Sequence, residues 1–306
     1  MTTATIHPPA AAPDSLGGKL ALLAADIKVS HTVFAMPWAI LSAAMAWDVV
    51  RGPIAGKLAL VVVCMVAART VAMAANRLLD AEIDARNPRT ARRAVPSGRL
   101  SRAFVSGALA LCAAVFVGAT ALFWTMYGNP WPLILSVPVL LFLASYPLLK
   151  RFTRLCHYYL GAALALAPLC AWIAIGGSLT WPPVIMAVAV LTWTAGFDII
   201  YACQDYASDV ACGIFSVPGK LGIGPALWVS RATHVVCAAA LIAVGLVSPA
   251  LSTLYFVGVG AAIALLIVEH TLVKPTDLSK VGLAFFTVNG IISLLVGTLG
   301  VIDVLV

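Results

Sequence analysis

Residues 54–84 read IAGKLALVVVCMVAARTVAMAANRLLDAEID, and this stretch decides the fold class. It opens as an apolar run long enough to cross a bilayer, which takes about 20 residues. It closes on Asn76-x3-Asp80-x3-Asp84. Residues four apart share one face of a helix, so an oxygen-rich stripe is expected where a membrane helix ends. A second acidic set, Asp198, Asp205 and Asp209, is spaced seven and four at the end of another apolar run, with Tyr201 nearby. Acids are scarce elsewhere: of the 12 Asp and Glu residues, six are Asp80, Glu82, Asp84, Asp198, Asp205 and Asp209. Ionisable groups at membrane depth are costly, so such clusters mark function.

Outside this stretch the composition agrees. The 306 residues are 62% hydrophobic and only 10% charged, against about 25% charged in soluble domains. The expected fold is all-α: a polytopic membrane bundle of nine helices, because helices satisfy their own backbone groups in lipid. The nine apolar segments run roughly over 28–49, 54–80, 102–125, 131–149, 157–177, 181–204, 225–247, 250–271 and 282–304. Pro37 falls inside the first and Pro138 inside the fourth, where membrane helices tolerate a kink. Residues 1–16 are rich in Thr, Ala and Pro and read as a loose tail without signal-peptide character. Residues 17–306 read as one membrane domain. The seven cysteines form no C-x-x-C pair and read as small buried hydrophobes.

Charge sets an expected orientation. Arg86, Arg89, Arg92, Arg93, Arg99 and Arg102 fall between the second and third segments. Lys150, Arg151 and Arg154 follow the fourth, Lys220 the sixth, and Lys274 and Lys280 the eighth. The opposite loops hold only Arg51 and Lys57. The positive-inside rule then puts both acidic clusters and the N-terminus in the cytoplasm, and the C-terminus outside. The net charge of +7 is thus a topology signal; no basic soluble domain is present to bind nucleic acid. The clusters are followed by similar tails, Val95-Pro96-Ser97-Gly98-Arg99-Leu100 and Val217-Pro218-Gly219-Lys220-Leu221. They suggest two repeat-like parts with motifs at 76–84 and 198–209.

The residue types point to diphosphate chemistry. Carboxylates and an amide oxygen are hard ligands suited to Mg²⁺ with phosphate as co-ligand. Two facing stripes would crowd like charges, and divalent cations would relieve that. An isolated D-x3-D is commonly just a solvated helix end; two copies on one membrane side of an acid-poor chain are not. Lys28, Arg69, Arg77, Lys150 and Arg154 are the cations expected to clamp a diphosphate, with Lys150 and Arg154 on one helical face. Arg69 lies about two turns inside the membrane on nearly the Asn76 stripe. Arg86, Arg89, Arg92, Arg93, Arg99, Arg102 and Arg151 read as interfacial anchors. His31, His157, His234 and His270 read as hydrogen-bonded or interfacial side chains. There is no H-E-x-x-H, P-loop or G-x-S-x-G.

The stretch Asn76-Arg77-Leu78-Leu79-Asp80-Ala81-Glu82-Ile83-Asp84 with Asn87-Pro88-Arg89-Thr90 resembles the first aspartate motif of the UbiA superfamily of intramembrane aromatic prenyltransferases. Residues 196–205, GFDIIYACQD, with Asp209 and Ser216-Val217-Pro218, resemble its second. Tyr146-Pro147 with Lys150-Arg151-Phe152-Thr153 is similar to the family's stretch after the fourth helix. The resemblance is strongest to the 4-hydroxybenzoate polyprenyltransferase-like subgroup. Ser30-His31-Thr32-Val33-Phe34-Ala35 and the phrase Asn-Arg-Leu-Leu-Asp are similar to a branch that includes futalosine-route menaquinone enzymes. Two positions depart from the common pattern: Arg77 where many members have Asp, and Val210 where many have Arg or Lys.

The resemblance implies a nine-helix bundle around a central cavity in an integral membrane protein of the bacterial inner membrane. It implies Mg²⁺ held by Asn76, Asp80, Asp84, Asp205 and Asp209. The chemistry implied is transfer of a polyprenyl group from polyprenyl diphosphate to an aromatic acid in ubiquinone or menaquinone biosynthesis. The acceptor would be 4-hydroxybenzoate, 1,4-dihydroxy-6-naphthoate or another family substrate. Asp198 and Tyr201 join the candidate substrate-binding set. A cation-coupled transporter is the rival of another class. Against it, the acids lie at helix ends near one surface, and no Gly or Pro breaks a helix there.

Overall fold

The computed structural model describes residues 13–306, and within residues 29–31 the backbone alone. Residues 1–12 of the expected tail and the His31 side chain lie outside that description. The remainder of the tail is shorter than expected, because a helix begins at Leu16. Fourteen α-helical segments follow in order: α1 (Leu16–Asp26), α2 (Met36–Val50), α3 (Ala55–Leu79), α4 (Ala81–Arg86), α5 (Arg102–Tyr127), α6 (Trp131–Leu149), α7 (Cys156–Gly176), α8 (Trp181–Ala202), α9 (Tyr206–Cys212), α10 (Val217–Leu221), α11 (Ile223–Val247), α12 (Thr253–Leu272), α13 (Val281–Leu283) and α14 (Asn289–Leu305). Among the described residues, nine helical stretches are long and apolar enough to cross a membrane, matching the nine expected.

α1 had no counterpart in the span reading. It is too short to cross a bilayer, and Gly17-Gly18 dilutes its pattern. It forms because Ser15 caps it, accepting from the Gly18 amide at 3.1 Å. Leu23 and Ile27 are then buried against Ala74, Ala94 and Val105. The first span also starts later than expected. Residues Val29–Phe34 form a 3₁₀ turn, and Pro37 occupies the first turn of α2. There its missing N–H costs nothing, so it starts the helix instead of kinking it. Pro138 does sit inside α6.

α8 is the most enclosed span, packed between α7 and α11. Small residues permit that approach, as is usual in membrane bundles. A Cβ added at Gly161 of α7 would lie 2.3 Å from the Leu191 carbonyl of α8. α3 packs on α5 and α6, and α2 on α7 and α14. A cluster of Phe34, Trp38, Trp193, Phe197 and Phe285 ties the 3₁₀ turn to α2, α8 and the π-helical turn Ala284–Val288. The seven cysteines are all free, and Cys203 and Cys237 are buried.

The two acid-bearing segments have similar backbones. α3 ends at Leu79, Asp80 adopts φ −92°, ψ 0°, and α4 then carries Asp84. α8 ends at Ala202, a 3₁₀ turn follows, Asp205 adopts φ −94°, ψ 4°, and α9 carries Asp209. Both acid-bearing spans are therefore broken at the acid without Gly or Pro, which corrects the expectation of unbroken stripes. The tails differ: residues 95–100 are turns, whereas Val217–Leu221 is a helix capped by Ser216.

Candidate active site

The two breaks face one cavity of about 440 Å³, within the range of small-molecule sites. Its lining includes Lys28, Arg69, Asn76, Arg77, Asp80, Lys150, Asp198, Tyr201, Asp205 and Asp209. Ten of the twelve candidate residues thus lie around one cavity. The other walls are apolar, drawn from α3, α5, α6 and α7. Val61 and Asp80 both line it, 19 residues apart along α3 and its cap, a rise of about 28 Å. The cavity is therefore long, polar at the Asp80 end and oily beyond.

Two candidates lie outside the lining. Asp84 is buried and paired with Arg93, whose Nη1 reaches both carboxylate oxygens at 2.9 and 2.7 Å. Arg154 is exposed. The chain leaves the helix at Leu149, so the four-residue spacing does not put Lys150 and Arg154 on one face.

Each remaining acid already has a partner. Asp80 Oδ2 accepts from Asn76 Nδ2 at 2.6 Å and from Lys150 Nζ at 2.7 Å. Asp205 accepts from Arg89 Nε and Nη2, and from Asn87 Nδ2 at 2.9 Å. Asp209 Oδ2 accepts from the Ser216 hydroxyl at 2.6 Å. Asp198 Oδ2 lies 2.7 Å from His157 Nδ1. The Val217 amide donates to His157 Nε2 at 3.1 Å, which leaves Nδ1–H to donate to Asp198. His157 is hydrogen-bonded, as its residue type suggested.

This pairing corrects the expected crowding of bare carboxylates. Among the described residues no three His, Cys, Asp or Glu side chains gather closely enough to enclose a metal ion, because the chain's own cations separate them. The donor set still fits a hard divalent ion. Asp80 lines the cavity, is fully buried, and among the described residues its Oδ1 has no hydrogen-bond partner. Such an atom costs free energy unless something binds it. Asn76, Asp205 and Asp209 supply further hard oxygens around the same cavity.

Arg89 and Arg93, read in the sequence as anchors, are part of the site. Arg89 also donates to the Tyr201 hydroxyl at 2.9 Å and lies 5.2 Å over its ring. Burial works to lower its pKa, but the Asp205 hydrogen bonds and the nearby Tyr201 and Asp205 hold it above the ordinary value. Lys28 shows the reverse. Burial, then Arg93, Arg89 and Arg77, push its ammonium below the ordinary lysine value. The three arginines add to the effect of burial even though each is ion-paired with an aspartate. Arg89 falls in the motif-like stretch Asn87-Pro88-Arg89-Thr90, but no spacing showed that it or Arg93 would pair with the acids, because those contacts depend on how the loop after α4 folds.

Arg69 is half-buried and, among the described residues, has no carboxylate within ion-pair distance. Its Nη2 donates to the Lys28 carbonyl at 3.1 Å, and its buried Nε has no partner. Arg77, by contrast, is ion-paired with Asp26 and donates to the Asp26 carbonyl and to Asn76, although its Nε makes no hydrogen bond among the described residues.

This fold and this site define a class: an all-α integral membrane protein whose acid-bearing helix breaks and basic cluster share the polar end of one apolar cavity. The chain belongs to the UbiA prenyltransferase family, whose family model matches residues 35–291. It is 32% identical over 157 residues to the mitochondrial 4-hydroxybenzoate polyprenyltransferase of Arabidopsis thaliana, covering 51% of this chain and 37% of that one. It is 28% identical over 221 residues to the 4-hydroxybenzoate octaprenyltransferase of Nitrosospira multiformis, covering 72% and 74%. The chain spans about half the length of the first curated relatives it matches. The apo structure of a UbiA homologue from Aeropyrum pernix K1 superposes with TM-score 0.79 at 28% identity, over 91% of this chain and 99% of that one. A UbiA homologue from Archaeoglobus fulgidus bound to DMAPP and Mg²⁺ shares the fold, with TM-score 0.70 at 18% identity over 94% and 99%.

Proposed function

We propose that the protein transfers a polyprenyl group from a polyprenyl diphosphate to an aromatic acid such as 4-hydroxybenzoate, at the cytoplasmic face of the bacterial inner membrane. One observation carries this reading: a single cavity joins the unpartnered Asp80 oxygen and a cation cluster at one end to a long apolar run at the other. The named relatives and the homologue bound to an allylic diphosphate and Mg²⁺ support it.

Asn76, Asp80, Asp205 and Asp209, with Asp84 behind them, would hold Mg²⁺. Bound there, the ion would neutralise charge on the departing diphosphate. Lys28, Lys150, Arg89 and Arg93 would bind the diphosphate oxygens, each trading a contact with an Asp or a neighbouring cation for one with phosphate. The apolar wall would hold the isoprenoid tail and keep water from the allylic cation. Arg69 would orient the acceptor through its carboxylate. Capture by the ring carbon beside the hydroxyl forms the new C–C bond, and loss of the ring proton restores aromaticity.

The test is incubation of detergent-solubilised protein with an allylic diphosphate, Mg²⁺ and either 4-hydroxybenzoate or 1,4-dihydroxy-6-naphthoate. A product heavier than the acceptor by one prenyl group, with diphosphate released, supports the reading and names the acceptor. Neither product from either acceptor would overturn it for these substrates.

A further inference from the structure

We propose that Asp26 and Arg77 form a positioning unit that fixes the Asn76 amide and turns the free oxygen of Asp80 to the bound cation. The inference rests on the prenyl-transfer reading for its consequence, but not for its geometry.

Arg77 follows the motif asparagine, so it lies off the stripe that Asn76 and Asp80 share. Its guanidinium runs to the end of α1. Nε pairs with Asp26 Oδ2 at 2.7 Å, and Nη2 donates to the Asp26 carbonyl at 2.6 Å. Nη1 donates to Asn76 Oδ1 at 2.9 Å. Asp26 Oδ1 in turn accepts from the Ala94 amide at 3.0 Å. The two charged side chains are 3% and 8% exposed, so they are held against each other even though Arg77 borders the cavity. A carboxylate as the last residue of a helix opposes the helix dipole. Arg77 offsets that charge as an ion pair to Oδ2 and the Ala94 amide satisfies Oδ1, although among the described residues Oδ2 accepts no hydrogen bond.

The consequence reaches Asp80 through hydrogen-bond polarity. Arginine only donates, and an ionised carboxylate only accepts. With Arg77 on one side and Asp80 on the other, the Asn76 amide has one orientation that satisfies both: Oδ1 to Arg77, Nδ2 to Asp80 Oδ2 at 2.6 Å. Lys150 donates to the same Oδ2 at 2.7 Å. Both donors therefore hold one oxygen, and Oδ1 is left buried without a partner. A chain running Asp26, Arg77, Asn76, Asp80 thus decides which carboxylate oxygen is available. Supporting groups of this kind typically change metal affinity 10–100-fold when removed.

Two full-length variants test this. Asp26→Leu with Arg77→Met replaces the buried pair by apolar groups, an exchange that leaves no unpaired buried charge. Arg77→Lys keeps a cation for Asp26 but loses the fork that reaches Asn76 as well. The first readout is the Mg²⁺ concentration that half-saturates the rise in melting temperature, measured without substrate. The second is kcat and the acceptor KM. Both variants should fold and should need about tenfold more Mg²⁺, with kcat lowered and the acceptor KM unchanged. An anchor for α1 alone would lower the melting temperature without moving the Mg²⁺ midpoint. A wild-type midpoint in whichever variant folds, or no Mg²⁺ response in the wild type, overturns the proposal. A Mg²⁺ response in wild type, shifted in the variants but without prenylated product, sustains this inference while the prenyl-transfer reading fails.

Discussion

Arg89 clasps Asp205 with both arms of its guanidinium: Nε reaches Oδ1 at 2.8 Å and Nη2 reaches Oδ2 at 2.6 Å. The pair joins the loop after α4 to the break after α8, beside the cavity that Asp205 lines. Bidentate geometry makes such a pair stronger than a surface contact. If the two act together on the diphosphate, their losses should not add. Arg89→Gln and Asp205→Asn should each lower kcat/KM, and the double variant should fall short of the summed loss by about 1 kcal/mol or more. A double-mutant cycle on kcat/KM checks this; strictly additive losses would show that the pair is incidental.

Removal of the metal or of its hard ligands should be decisive. EDTA should abolish turnover and Mg²⁺ restore it. Asp80→Ala should lose turnover while the protein stays folded, because its unpartnered Oδ1 disappears with the carboxylate. Retained turnover in purified, folded Asp80→Ala protein contradicts this assignment.

Much of this was legible before any coordinates. Runs of about 20 apolar residues leave the chain no soluble alternative, so the nine spans stood close to their expected places. The acids stood out because so few others exist. What the sequence hid were features without a residue signature. The breaks at Asp80 and Asp205 need no Gly or Pro, since the Asp80 amide still bonds the Asn76 carbonyl at 2.9 Å and the Asp84 amide the Asp80 carbonyl at 2.8 Å. Modest changes in both φ and ψ turn the chain. Arg89 and Arg93 looked like their neighbours Arg86 and Arg92, and only the return of the loop separates partners from anchors. The four-residue spacing of Lys150 and Arg154 implies a shared face only where a helix continues, and α6 stops at Leu149.

Topology carries a separate expectation. The loops holding residues 86–102, Arg154 and Lys220 should face the cytoplasm, and Val306 the other side, because Lys and Arg concentrate on one set of loops. A C-terminal fusion to a reporter active only outside the cytoplasm should be active, and the same reporter after Lys220 inactive. The opposite pattern would invert the assignment and move the site to the outer face.

Arg69 is a half-buried cation with no ion-pair partner among the described residues. It lies two turns below Asn76 on α3, lines the cavity, and reaches only the carbonyl of Lys28. Lys28 itself holds a left-handed backbone, φ 51°, which is uncommon for a residue with a side chain, so Arg69 helps to secure a strained turn. A purely structural role would end there. The buried Nε without a partner argues for more, since a cation at that depth calls for an anion. An acceptor carboxylate arriving in the cavity would supply one. Arg69→Leu is then expected to raise the acceptor KM by about tenfold, the scale of one charged hydrogen bond. With kcat unchanged, the lost contact is one made equally in ground and transition states; with kcat lowered too, it is one that strengthens as the ring attacks. Arg69→Lys should recover part of the loss, because a point charge still attracts the carboxylate. Steady-state kinetics on folded protein decide it: a Leu variant matching wild type on both substrates would leave Arg69 with the Lys28 turn alone.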